Sequence, residues 1–155
     1  SIHANASTSR DPYGFEIYYL SEALDDSARA VQILENASLQ YEENAVFPNK
    51  NSRDPTVWDL VLTENRKESL DLAKNIVKNV RQSRLTTTRG VKGARFHVLR
   101  WTDKPAILIE TGFVTNPQEA RKLANARYQD ALATQITRGI LEYKEDFERT
   151  NGFTR

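Results

Sequence analysis

Glu110 is the side chain whose surroundings first call for a chemical reason. Four apolar residues, Ala106-Ile107-Leu108-Ile109, lead into it, and a carboxylate at a dry strand end must be paired, protonated or functional. Two uses suit it: an acceptor for donors at a helix start near Asn116, or a proton-transfer group. His3 is the second candidate. It has small neighbours, Ala4 and Ala6, and opens a loop after a strand end, where ligands gather in open α/β sheets. A single histidine there is a metal ligand or else a packed or surface residue. The other histidine, His97, lies in Phe96-His97-Val98-Leu99 among core types and reads as a strand residue with no catalytic duty. The two are too far apart to make a metal motif by spacing, unlike His-Glu-x-x-His on a helix.

These side chains need elements to hold them. Ser7 to Gly14 reads as loop, and Gly14 to Leu20, rich in β-branched and aromatic residues, as a strand. Asp25 and Asp26 are N-cap types, and Ala28, Val31 and Glu35 then share a helical face, which puts a carboxylate among small apolar residues. Residues 38 to 53 form a long polar span with the character of an insertion. Asp54-Pro55 starts a helix reaching about Val80, with Leu62, Ser69, Ala73, Ile76 and Val80 as its small or apolar stripe. Ser83 to Gly93, with Arg84, Arg89 and Lys92, reads as a basic loop.

Two strands follow, Ala94 to Trp101 and Ala106 to Glu110, separated by a turn at Thr102-Asp103-Lys104-Pro105. The second is continuously apolar until Glu110, the pattern of a parallel strand buried on both faces. Asn116-Pro117-Gln118-Glu119 caps a short helix. A last helix from about Tyr128 aligns Leu132, Ile136, Ile140, Tyr143 and Phe147 and stops at Asn151-Gly152. The order predicts an α/β fold with a mixed, mostly parallel sheet flanked by helices. Three strands against four helices leave a sheet edge bare, which points to further strands and helices upstream of Ser1.

With 155 residues, 39% hydrophobic and 28% charged, the chain has the size and composition of one globular domain. A net charge of +1 provides no broad field for nucleic acid. No apolar run reaches the ~20 residues of a membrane span. Zero Cys excludes disulfides and thiolate metal sites. The basic residues Arg84, Arg89 and Lys92 suit a solvated loop better than a site for anionic polymers.

Ser1-Ile2-His3-Ala4-Asn5-Ala6 together with Pro105-Ala106-Ile107-Leu108-Ile109-Glu110-Thr111-Gly112-Phe113-Val114-Thr115-Asn116 resembles the zinc-dependent N-acetylmuramoyl-L-alanine amidases of the amidase-3 type. The likeness continues to about Tyr143. It implies that residues 1–155 are one partial amidase catalytic domain acting on peptidoglycan, cleaving the amide between N-acetylmuramic acid and the L-alanine of the stem peptide. By resemblance, His3 is a zinc ligand and Glu110 the catalytic glutamate that handles the water's proton. A first ligand histidine and a ligand glutamate would lie upstream of Ser1. Asn5 would help shape the groove, and no residue is assigned to substrate binding.

Residues 21 to 53 resemble the insertion that occludes the site in Gram-negative cell-division amidases until an activator protein displaces it. Glu35 is then the first candidate for the inhibitory carboxylate, with Glu42 and Glu43 as competitors. The resemblance also implies an exported protein, in the periplasm or cell envelope. Two other readings stay open: a metal-free wall-binding or regulatory piece, and completion of the fold by another polypeptide or a second copy.

Overall fold

Alternation along one strand organises the whole sheet. The computed structural model describes residues 1–21, 25–37, 55–100 and 102–151, with no side-chain detail for 55–62 and 151. Glu42, Glu43, Asp54, Trp101, Gly152 and the Leu62 side chain therefore lie outside the described residues, as does most of the expected insertion. The elements are β1 (Ile2–Asn5), β2 (Phe15–Leu20), α1 (Asp26–Ala37), α2 (Pro55–Ser83), β3 (Thr88–Ala94), β4 (Ile107–Phe113), α3 (Pro117–Leu123) and α4 (Ala126–Asn151), with a 3-10 turn at His97–Leu99. Strand order is β1-β4-β2-β3. The β1–β4 and β2–β3 pairs are parallel, and β2–β4 is antiparallel.

Because successive residues of a strand face opposite sides, Phe15 and Ile17 join one core with Ile107 and Ile109, under Ile76 and Val80 of α2 and Leu132 and Ile136 of α4. Tyr18 and Leu108 face the other way and pack with Ala28 and Val31 of α1 and with Phe96 and Leu99. No described helix is long and apolar enough to cross a membrane.

The expected α2 stripe is buried at Ser69, Ala73, Ile76 and Val80. Asn116 caps α3 as its type predicts, accepting from the backbone N–H groups of Gln118 and Glu119. Glu119, three residues into that cap, uses Oε2 to accept from Gly14 N at 2.9 Å and Phe113 N at 2.8 Å, and so ties the loop before β2 to the end of β4.

Five expectations are corrected. His3 lies within β1, not in a loop, because Ile2–Asn5 finds a parallel partner in β4. Glu110 is inside β4, which runs on to Phe113. The second half of the basic loop is β3, an edge strand whose Arg89 and Lys92 reach the buried Glu16. The Ala94 to Trp101 strand ends at Ala94. Side chains of α1 satisfy the backbone beyond it: Gln32 Oε1 accepts from Arg95 N and Asn36 Oδ1 from His97 N, while Phe96 and Leu99 bury at a turn's spacing. On α4, Ile140 and Phe147 are exposed. The buried line runs through Gly139 instead, whose missing Cβ lets the helix close on the Ile76 backbone.

Candidate metal centre

Strand register sets the site. His3 of β1 and Glu16 of β2 are the Cα partners of Glu110 on its two sides. α1 lies over this face, and its Glu35 reaches back to the row: Glu35 Oε2 is 2.7 Å from His3 Nδ1. The other ring nitrogen, Nε2, is 2.6 Å from Ser1 Oγ. One ligand atom each from His3, Glu35 and Glu110 fall within 4.8 Å of one another, and this is the one such group among the described residues. The fold thus gathers the three residues singled out by sequence. His97 stays outside the group, in its 3-10 turn.

Glu110 is fully buried, and neither carboxylate oxygen has a hydrogen-bond partner among the described residues. Burial, followed by the neighbouring charges of Glu35 and Glu16, pushes its pKa from the usual 4.5 up to about 8. A carboxyl left dry and unpartnered beside an imidazole and a second carboxylate matches what a cation would satisfy. One nitrogen and two carboxylates form a donor set that zinc accepts. The residues present fit a metal.

Glu16 shows the contrasting solution. It is 1% exposed, yet its Oε1 accepts from Asn5 Nδ2 at 3.0 Å and from the Tyr18 hydroxyl at 2.7 Å. Its Oε2 meets Arg89 Nε at 2.8 Å and Lys92 Nζ at 3.2 Å. The desolvation of this buried carboxylate is offset by partners on both oxygens, and Asn5 ties it to β1. Sequence reading passed over it, although a carboxylate inside Gly14-Phe15-Glu16-Ile17-Tyr18-Tyr19-Leu20 carries the same signal that drew attention to Glu110.

α1 is held over the site chiefly by polar ties. Lys92 Nζ donates to Ser27 Oγ at 2.8 Å, Asn36 and Gln32 bond the backbone after β3, and Ala28 and Val31 are its buried apolar residues. Asp25 Oδ1 caps its start by accepting from Ala28 N at 2.7 Å.

Fold and site together define an α/β domain with a candidate His–Glu–Glu metal centre under a helical cover. The chain belongs to the N-acetylmuramoyl-L-alanine amidase family, whose model matches residues 1–142. It is 29% identical over 157 residues to the amidase AmiA of Escherichia coli K12, covering 100% of this chain and 54% of that protein. Identity to AmiC of Escherichia coli O6:H1 is 33% over 148 residues, 94% of this chain and 35% of that protein. Among solved structures, the amidase of Clostridium difficile 630 superposes with a TM-score of 0.55 at 29% identity, over 93% of this chain and 55% of that one. The chain spans about half the length of AmiA and about a third of that of AmiC.

Proposed function

We propose that this chain is the Glu110-bearing part of a peptidoglycan amidase that hydrolyses the bond between N-acetylmuramic acid and the L-alanine of the stem peptide. The observation that carries the reading is the convergence of His3, Glu35 and Glu110 in a member of this family. His3 would be a zinc ligand, and Glu35 would fill an open position on the metal while α1 lies down. Bound there, zinc would acidify a water and polarise the scissile carbonyl.

Glu110 contributes the proton transfers. It is buried, has no hydrogen-bond partner among the described residues and lies beside His3, so with zinc bound its carboxylate would take the attacking water's proton and its carboxylic acid would return it to the departing amine. No covalent enzyme intermediate is required. His3 depends on β1 for its place, and Glu16 holds β1 through Asn5.

Glu35 supplies regulation on this reading. Its carboxylate occupies His3 Nδ1 and stands within reach of the position a reacting water needs. While α1 lies down, the site is closed. Lifting α1 breaks a few polar bonds and exposes Ala28 and Val31, a modest cost that binding of an activator protein can offset. α1 would then belong to a regulatory insertion in one catalytic domain. Peptidoglycan as substrate implies export to the periplasm or cell envelope.

The engagement of both His3 ring nitrogens favours a second reading, a metal-free regulatory or wall-binding piece. One experiment separates the two: zinc content and release of stem peptide from purified peptidoglycan, measured on the same sample of the full-length protein and its Glu110→Gln variant. Bound zinc with turnover that falls by about 10²–10⁴-fold in the variant supports the amidase. Absence of both zinc and turnover leaves the regulatory piece.

A further inference from the structure

The proposed chemistry leaves Arg89 without a task. Along β2 and β3, Phe15 pairs with Thr88 but Glu16 pairs with Gly90, so Arg89 is the extra residue of a bulge, and Gly90 takes φ +90°. Bulges re-aim a side chain, and this one turns Arg89 toward the site row. Three contacts then fix it. Its Nε donates to Glu16 Oε2 at 2.8 Å, and its guanidinium carbon lies 5.4 Å from the centroid of the Phe113 ring. Its stem runs past Gly14, where a Cβ would stand 3.2 Å from Arg89 Cγ. Gly14 itself takes φ +109°, a conformation and a closeness that a larger residue resists.

What remains is a fork. The terminal nitrogens of Arg89 have no hydrogen-bond partner among the described residues, and its side chain is 33% exposed. Held by Nε and by the ring face, the guanidinium keeps two parallel N–H groups for a planar acceptor, the arrangement that receives a carboxylate bidentately. Glu16 does not need Arg89 for its own neutrality, because Lys92 already sits 3.2 Å away.

The fork lies beside the row that carries His3 and Glu110. Glu16, which Arg89 holds, is the Cα partner of Glu110, and Phe113, on which Arg89 stacks, is the Cα partner of Asn5, two residues from His3. We propose that Arg89 is a specificity-determining residue that binds a free carboxylate on the peptide half of the substrate. This rests on the amidase reading. It differs from the expectation of a solvated basic loop, because the bulge and the Glu16 contact exist only once β2 and β3 pair.

The test uses the full-length protein, activated if required, and two N-acetylmuramoyl peptides that are identical except that the free acids of one are carboxamides in the other. The wild type is expected to prefer the acid by about tenfold or more in kcat/KM, expressed in KM, the size of one charge-assisted contact. In Arg89→Lys, which keeps the charge but loses the planar fork, that ratio should fall to about two, through a rise in KM for the acid. A wild-type ratio near one overturns the proposal whether or not the variant folds. Equal losses on both substrates overturn it too, leaving Arg89 as a counterion of Glu16. A wild type inactive on both substrates instead defeats the amidase reading, and the inference falls with it.

Discussion

Glu110 and Glu16 are Cα partners on neighbouring strands, both buried, yet their environments drive them apart. Glu16 has two cations, an amide and a hydroxyl within hydrogen-bonding range, whereas Glu110 has no hydrogen-bond partner and the charges of Glu35 and Glu16 nearby. One has its burial matched by partners, and the other is left dry with its pKa raised. The difference is measurable in the metal-free protein. A glutamate whose pKa rises from 4.5 to about 8 on folding binds more protons in the native state between those values. Its contribution to stability is therefore fully present below pH 4.5 and is lost as pH rises through 8. Glu110→Gln, which keeps the shape without the charge, should melt at a higher temperature than the wild type near pH 8 and at the same temperature below pH 4.5. Thermal melts of both proteins across that range check this, and parallel curves at every pH would contradict an unpartnered buried carboxyl.

α1 and α4 differ in how they are attached, and they should answer differently to substitution. α1 meets the sheet with Ala28 and Val31 and otherwise with hydrogen bonds and the Glu35–His3 pair. Removing one of those ties loosens a cover rather than the fold. Glu35→Ala in the full-length protein should raise basal hydrolysis several-fold without lowering the melting temperature appreciably. Unchanged basal turnover would remove Glu35 as the inhibitory group. α4 is built into the core, and Gly139 lies directly against the α2 backbone. A Cβ there would lie 2.5 Å from Ile76 Cα and 2.8 Å from Ile76 N. Backbone cannot yield as a side chain can, so Gly139→Ala should cost about 1–3 kcal/mol, read from the urea midpoint. A neutral result would mean that the two helices slide apart freely.

At the scale of the whole molecule, the four-stranded sheet is a divider. One face carries a dry core under α2 and α4. The other carries a row of ionisable groups from His3 through Glu110 to Glu16, partly roofed by α1. The α/β class, the α2 stripe, the Asn116 cap and the candidates His3, Glu35 and Glu110 were legible in the sequence, because periodicity, capping chemistry and a carboxylate in an apolar run are local signals. The family motifs around His3 and Glu110 were equally local. Other features were set by partners distant in the chain. β3 is polar because it is an edge strand whose Arg89 and Lys92 serve a carboxylate 73 and 76 positions earlier (89 − 16 and 92 − 16). The stretch after Ala94 turns instead of extending because α1 side chains satisfy its backbone. Gly139 outranks Ile140 because α2 must come close. Sequence alone determined which residues were chemically costly to bury. Tertiary structure decided which of those costs are met by a partner and which are left for a ligand, since desolvation is local to a residue but its compensation depends on what pairing across the sheet brings within about 3 Å.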